Sequence, residues 1–318
     1  MRVLANDGIS KAGEEKLIGY GFEVLTNYVD QAELASYINK EKIQVLLVRS
    51  ATTVRKDLID SCPELKIIGR GGVGMDNIDV DYARSKGISV INTPASSSQS
   101  VAELVMGSLF SLVRMIYDAN REMPVNGNTD FKKLKKKYSE GIELRGKTLG
   151  IIGTGRIGAA TASYALGIGM KVIGYDAFMK KATTLVPIPD GSMMEVEIKM
   201  LSLEDVYKNS DFITVHVPAQ KDGKALITSK ELNSMKDGVY LVNASRGGII
   251  DELDLISALN SGKVAGASID VFDNEPTPNK DLLANPRAIT TPHIGAATME
   301  AQDRIGEELA DQIHSILN

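Results

Sequence analysis

The stretch Leu149-Gly150-Ile151-Ile152-Gly153-Thr154-Gly155-Arg156-Ile157-Gly158 decides how the rest of the chain is read. It has the form of a short buried strand, a glycine turn and the opening turn of a helix. Gly153, Gly155 and Gly158 stand at G-x-G-x-x-G spacing, and the next apolar run, Val172-Ile173-Gly174-Tyr175, ends on Asp176. Gly153 permits the tight turn, Gly155 lets backbone N–H groups approach a pyrophosphate, and Gly158 lets the helix lie close on its strand. Free amides at the helix start, with the macrodipole behind them, favour an anion. Asp176 can accept hydrogen bonds from a ribose diol. A glycine triplet alone fits any strand-to-helix turn. The strand before it, the helix after it and the acid at the next strand end together point to a dinucleotide site. NAD is expected, because a carboxylate at Asp176 repels the 2′-phosphate of NADP and no arginine follows it closely, although Lys180 and Lys181 are near.

Outward from this motif, strand-like runs alternate with helix-like segments, the mark of an α/β fold. Before it come Val3-Leu4-Ala5, Val24-Leu25, Val45 to Val48, Ile67-Ile68 and Ser89-Val90-Ile91, with amphipathic segments such as Gln31 to Lys40 between them. A hinge is expected at Asn92-Thr93-Pro94, since proline cannot continue a ladder and restricts the residue before it. A long helix is predicted from about Ser98 to Asp118. Val101, Leu104, Val105, Leu112, Val113 and Ile116 form its stripe, which Met106 and Phe110 widen. Such a helix suits a dimer interface or a doubly covered core equally. Five lysines around Leu134, from Lys132 to Lys137, are expected in a solvated surface loop, with added potential near an anionic substrate as the alternative.

Beyond the motif, strands are predicted at 211–215, 239–242 and 264–269, with a surface turn over Pro187 to Ser192. A second hinge is expected at Ala288-Ile289-Thr290-Thr291-Pro292, then a closing helix with Ala301, Ile305, Leu309 and Ile316 on one side and His314 exposed. The prediction is two doubly wound parallel-sheet domains, Rossmann- and flavodoxin-like. Residues 1–97 with 290–318 form a discontinuous substrate-binding domain and 98–289 a nucleotide-binding domain. A cleft is expected between them, at the carboxyl ends of the strands.

At 318 residues the chain has length for two such cores. Its net charge of −5 gives no reason to expect nucleic acid or an anionic membrane as partner. Cys62 is the single cysteine, so no intramolecular disulfide can form, which fits a reducing compartment. The opening Met1-Arg2-Val3-Leu4-Ala5 meets Asp7 at once, unlike a signal peptide. No apolar run approaches the ~18 residues of a membrane span. A cytoplasmic location and no metal are expected.

Three later strand ends carry groups suited to one reaction. Asn243-Ala244-Ser245-Arg246-Gly247-Gly248 presents a guanidinium that can clamp a carboxylate in fork geometry. Asp270-Val271-Phe272-Asp273-Asn274-Glu275-Pro276 supplies carboxylates, and Thr291-Pro292-His293-Ile294-Gly295 an imidazole. Oxidising an alcohol carbon toward a nicotinamide needs a base for the hydroxyl proton, a role histidine fills when a carboxylate orients it. The expectation is that Glu275 pairs with His293 while Arg246 holds the substrate carboxylate. Taken singly, Arg246 suits a surface arginine, Glu275 a solvated acid and His293 a structural histidine. Their placement after successive strands is the informative part. His216, in Thr214-Val215-His216-Val217-Pro218, is expected to touch the dinucleotide by its backbone rather than to catalyse.

With these residues in view, the chain resembles the D-isomer-specific 2-hydroxyacid dehydrogenases over essentially its full length. The matching segments are Gly71 to Asp79, Ser100-Val101-Ala102-Glu103-Leu104, Leu149 to Gly158, His216-Val217-Pro218, Asn243 to Gly248, Asp270 to Pro276 and Pro292 to Ala296. The resemblance implies Arg246, Glu275 and His293 as the catalytic set and a homodimer as the assembly. It implies cofactor contacts from Arg156 and Ile157 at the pyrophosphate, Asp176 at the ribose and Asp270 at the nicotinamide amide. Val217, Pro218, Ala244, Ser245, His293 and Gly295 complete the implied cofactor set. The backbone of Val73 and Gly74 would meet the substrate carboxylate.

Within that family the similarity is greatest to the phosphoglycerate dehydrogenase branch, which opens serine synthesis. It rests on Val48-Arg49-Ser50-Ala51-Thr52-Thr53-Val54 and Gly69-Arg70-Gly71. There Arg49, Ser50 and Arg70 would line the phosphate end of the substrate, in keeping with the preference of a dianion for arginine forks. Ser96-Ser97-Ser98 stands where that branch commonly has an asparagine. The sequence also ends at Asn318 without the branch's C-terminal regulatory domain, so no serine inhibition through such a domain is expected. A reductase of glyoxylate, hydroxypyruvate or D-lactate is the alternative within the class. An NAD-binding corepressor-like interaction protein is the alternative outside it.

Overall fold

The computed structural model describes residues 1–220 and 222–317, so Asn318 of the predicted closing segment lies outside the described residues. The chain divides into two compact units, one of residues 1–100 with 296–318 and one of residues 101–295.

The first unit holds a five-stranded parallel sheet of β1 (Arg2–Ala5), β2 (Glu23–Leu25), β3 (Val45–Val48), β4 (Ile67–Arg70) and β5 (Ser89–Asn92), in the order β2-β1-β3-β4-β5. Its helices are α1 (Lys11–Gly19), α2 (Leu34–Glu41), α3 (Lys56–Ser61) and α4 (Val80–Ser85). The strands are short apolar runs because both sheet faces are covered. Leu4, Leu46, Val48 and Ile68 face Leu34, Ile38 and Leu58, whereas Val3, Val45, Leu47 and Ile67 face Leu17, Ile305, Leu309 and Ile313. Each such side chain contributes roughly 1.5–3 kcal/mol on full burial.

The second unit is built on an eight-stranded sheet. Its strands are β6 (Thr148–Ile152), β7 (Lys171–Tyr175), β8 (Ala182–Pro187), β9 (Met193–Met200), β10 (Phe212–Val215), β11 (Val239–Asn243), β12 (Val264–Ile269) and β13 (Ala288–Thr290). They run in the order β13-β12-β11-β10-β6-β7-β9-β8. All neighbours are parallel except β8 with β9. The helices are α5 (Ser98–Arg114), which starts in the first unit, α6 (Ile116–Lys137), α7 (Arg156–Gly167), α8 (Leu203–Asn209), α9 (Ser229–Ser234), α10 (Glu252–Ser261) and α11 (Lys280–Leu283), before α12 (Met299–Leu317) returns to the first unit.

Several expectations need correcting. The predicted helix to Asp118 stops at Arg114, because Met115 takes a left-handed backbone with φ 50°, and α6 departs at 58°. The lysine run is the last turns of α6, where cations offset the negative end of the macrodipole, and Leu134 is buried. The expected turn at 187–192 joins the antiparallel hairpin β8–β9, an exception to a wholly parallel sheet. The hairpin lies against α7: Ser163 Oγ donates to Leu185 O at 2.7 Å and Thr184 Oγ1 to Ala159 O at 2.6 Å.

The second crossing falls at 295–296 rather than 290, since β13 pairs with β12 and Asp270 ties down the segment after it. The first falls at 100–101 rather than 97–98. On α12, Ile313 is buried where Ile316 was expected, and His314 stacks on Tyr20 with ring centroids 4.0 Å apart. No single helix among the described residues is long and apolar enough to cross a membrane.

Candidate active site

In the second unit the strand order reverses between β6 and β10, which is where open α/β sheets bind ligands. The turn after β6 is crowded on one side and open on the other. A Cβ at Gly153, whose φ is 94°, would lie 2.5 Å from His216 O, and one at Gly158 would lie 2.1 Å from Gly153 O. At Gly155 it would meet nothing within 4 Å. Gly155 is also the N-cap of α7 and brings no capping side chain, so the first-turn amides of Arg156, Ile157 and Gly158 receive no side-chain acceptor from it. This open cradle fits a dinucleotide pyrophosphate.

Asp176 closes the next strand end. Its Oδ2 accepts Thr154 N at 3.0 Å, and its Oδ1 accepts Phe178 N at 2.9 Å and Met179 N at 3.1 Å, so the carboxylate is held in place before any ribose reaches it. His216 follows β10, with Val217 and Pro218 beyond it. Its Nε2 lies 3.1 Å from Thr214 Oγ1, its Nδ1 is buried, and burial pushes its pKa down to about 4. It is a neutral prop beneath the glycine turn.

The three predicted catalytic residues sit past β11, β12 and β13 at the same sheet end. Asn243, buried at the end of β11, accepts Ser245 N at 3.0 Å and Ser245 Oγ at 2.8 Å and donates to Arg246 O at 2.9 Å. The Ala244-Ser245-Arg246 loop is thereby shaped from below. Arg246 Nη1 donates to Ser245 O at 2.6 Å. Gly247 then runs against the next loop so closely that a Cβ would lie 2.0 Å from Phe272 O.

In that loop Glu275 Oε1 accepts Phe272 N at 3.0 Å, and Glu275 Oε2 lies 2.9 Å from His293 Nδ1. The structure therefore brings the expected acid and imidazole together. His293 sits at φ 54°, and its Nε2 has no partner among the described residues. Asp270 pins the segment on either side: Oδ1 accepts Thr291 Oγ1 at 2.6 Å and Ile294 N at 2.9 Å, while Oδ2 accepts Gly295 N at 2.9 Å. With about four acceptor positions on a carboxylate, one is left for another donor.

Two acids that the sequence reading did not single out brace these loops. Glu252, buried in the first turn of α10, accepts Asp273 N at 3.0 Å, and the Asp273 carboxylate accepts Gly248 N. Desolvation raises the pKa of both. Among the described residues, no group of three or more His, Cys, Asp or Glu side chains is arranged to hold a metal ion.

In the first unit, Arg49 is the residue after β3 and Arg70 ends β4, its neighbour, in register with Val48. The Arg49 stem passes over Gly71, where a Cβ would lie 3.6 Å from Arg49 Cγ. Arg70 Nη1 donates to Gly71 O at 3.2 Å and crosses Gly72, whose φ is 138° and where a Cβ would collide with it. Gly72 N donates to Thr93 Oγ1 at 2.8 Å and Val73 O accepts Asn92 Nδ2 at 2.6 Å, which hold the start of the 72–74 loop. Ser50 is exposed.

Residues 106–295 match the D-isomer specific 2-hydroxyacid dehydrogenase, NAD binding domain family. The chain is 41% identical over 316 residues to a hydroxypyruvate reductase of Thermotoga maritima, covering 98% of this chain and 97% of that one. It is 42% identical over 296 residues to a D-3-phosphoglycerate dehydrogenase of Methanocaldococcus jannaschii, covering 91% of this chain but only 54% of the relative. A glyoxylate reductase from Paecilomyes thermophila superposes with a TM-score of 0.82 at 28% identity, covering 100% and 95% of the two chains. The chain belongs to the D-isomer specific 2-hydroxyacid dehydrogenase family, and its second unit carries that family's NAD-binding domain.

Proposed function

We infer that the chain oxidises 3-phospho-D-glycerate to 3-phosphohydroxypyruvate with NAD. The observation that carries the choice of substrate is the pair Arg49 and Arg70, which leave adjacent strands of the first unit at the same end. Two guanidiniums with a nearby hydroxyl, Ser50, suit a phosphate of charge near −2. The reacting end of the substrate is assigned to the second unit. Arg246 grips the substrate carboxylate and polarises the reacting oxygen. His293 Nε2 takes the hydroxyl proton as the C–H bond breaks, and Glu275 holds the ring by Nδ1 and offsets the charge it acquires. Bound NAD supplies the acceptor for the electron pair that leaves the substrate carbon. The amides at Gly155–Gly158 and the Asp176 carboxylate are assigned to its pyrophosphate and ribose.

A second reading, reduction of hydroxypyruvate or glyoxylate, is favoured by the hydroxypyruvate reductase relative, which this chain matches over 97% of that protein's length. Purified protein assayed with NAD on a panel of 2-hydroxy acids, and with NADH on the matching keto acids, tests both. The first reading expects kcat/KM highest for 3-phosphoglycerate, with Arg49→Ala erasing that preference. Preference for unphosphorylated acids supports the second. Cofactor binding without turnover of any acid overturns both and supports an interaction protein. In the same assay His293→Asn is expected to lose about 10²–10⁴ in kcat with cofactor binding kept.

We also assign the chain a homodimeric state. Ile116, Tyr117, Val125 and Phe131 of α6 are exposed apolar side chains that suit self-association. Sedimentation equilibrium tests it, and a monomer at micromolar concentration would refute it.

A further inference from the structure

The first sheet has its own reversal of strand order, between β1 and β3, because β1 pairs with β2 on one side and β3 on the other. In a sheet of this order the crevice outside the carboxyl ends of those two strands is the ligand site. What fills that position here is a clamp. Asp7, just past β1, accepts Arg49 N at 2.6 Å and Thr52 N at 3.0 Å on Oδ2, and Thr52 Oγ1 at 2.5 Å on Oδ1. Asn77 donates Nδ2 to Arg49 O at 2.8 Å and to Thr52 O at 2.6 Å. Asn6, buried at the end of β1, donates to Thr52 Oγ1 at 2.8 Å and to Val29 O at 3.1 Å.

The backbone N–H and C=O groups of both Arg49 and Thr52 are thus met by side chains rather than by a ladder. A loop leaving a parallel strand has no ladder to join, and its polar groups need partners. The two residues held are the ends of a short tip, and Ser50 and Ala51 between them are exposed. Three bonds on Asp7 and two on Asn77 fix where Arg49 leaves the strand and how Ser50 is presented.

We propose that Asp7 and Asn77 are positioning residues for substrate selection, holding Arg49 and Ser50 in the geometry that receives the distal anion of the substrate. The proposal rests on the assignment of Arg49 and Ser50 to that end. The clamp itself touches neither cofactor nor reacting carbon. Its loss therefore weakens substrate binding and leaves the chemical step alone.

The test is steady-state kinetics on Asp7→Asn and Asn77→Ala, each also combined with Arg49→Ala, on 3-phosphoglycerate and on unphosphorylated D-glycerate. The expected result for each single variant is a rise of about 10-fold or more in KM for phosphoglycerate. The kcat should stay within about twofold and the KM for NAD should not change. In the Arg49→Ala background the same substitution should add less than about twofold, because its effect runs through that arginine. An unchanged KM overturns the proposal. So does a loss confined to kcat, or a KM penalty that multiplies fully with that of Arg49→Ala. Thr52→Val removes one bond to Asp7 and is the milder variant should Asp7→Asn not fold. If wild-type enzyme shows no preference for the phosphorylated acid, the substrate assignment has failed on its own. The clamp is then judged by the same KM-against-kcat split and the same coupling to Arg49→Ala on the acid it does use.

Discussion

At His216 the ring lies under the nucleotide turn with Nδ1 buried, and burial holds its pKa near 4 against an ordinary 6.5. The folded chain therefore stays neutral at this ring while the unfolded chain takes up a proton between those values. Stability is lost as pH falls through the window, by up to about 3 kcal/mol. Urea unfolding of the wild type and of His216→Gln at several pH values between 7 and 4.5 checks this. The wild type should lose stability more steeply than the variant, and parallel slopes would refute it. Such environments were not legible beforehand. The sequence placed His216 at a strand end, which is where it lies, but not the burial of its ring. By contrast, Glu275 and His293 could be read as partners because each follows a strand of one sheet. Asp7 and Arg49, 42 residues apart, were not, because a side chain that caps a distant loop leaves no periodic trace.

Helix α12 is held to α1 by two glycines in contact. A Cβ at Gly13 would lie 2.5 Å from Gly306 Cα, and one at Gly306 would lie 2.9 Å from Gly13 Cα. Gly19, at the end of α1, would meet nothing within 4 Å. The two substitutions therefore divide the forces. Alanine gains up to about 1 kcal/mol in intrinsic helix propensity at either site. At Gly13 it must also push two backbones apart, which costs roughly 1–3 kcal/mol. Gly13→Ala should lower the unfolding midpoint in denaturant and Gly19→Ala should leave it unchanged or raise it. The reverse order would show that the helices separate freely. Among elements, strand Val264–Ile269 was legible to the residue, since an apolar run buried on both faces needs no partner to be recognised. Hairpin β8–β9 was legible in one strand only. In β9 Val196 and Ile198 alternate with Glu195, Glu197 and Lys199, whereas in β8 Thr184 is buried and Leu185 exposed, so polarity there does not follow the pleat. Only the turn between the strands was read. The break at Met115 has no comparable mark, as neither proline nor glycine stands there.

For the whole molecule, two separate cores predict a divided response to cofactor. The glycine cradle and Asp176 belong to residues 101–295, so NAD at about 100 times its Kd should stabilise that unit by about 2.7 kcal/mol. Hydrogen exchange read by mass spectrometry should show the slowest amides of β6 and β7 slowed about 100-fold, and those of β3 and β4 far less. Equal slowing in both sheets would show that the two cores unfold as one body. The two-domain plan was legible because strand runs are local features. The second crossing was misplaced by several residues because β13 and the Asp270 contacts, which hold 288–295 in the second unit, are not local.

The hairpin seated on α7 has one more effect. A strand at the margin of a sheet normally offers a row of bare amides and carbonyls on which a foreign chain can add. Here Leu185 O is already taken by Ser163, and Pro187 contributes no N–H. The β8 rim of the eight-stranded sheet is thereby a poorer template for growth, and Ser163→Ala is expected to raise the tendency to aggregate, read by light scattering on prolonged warming.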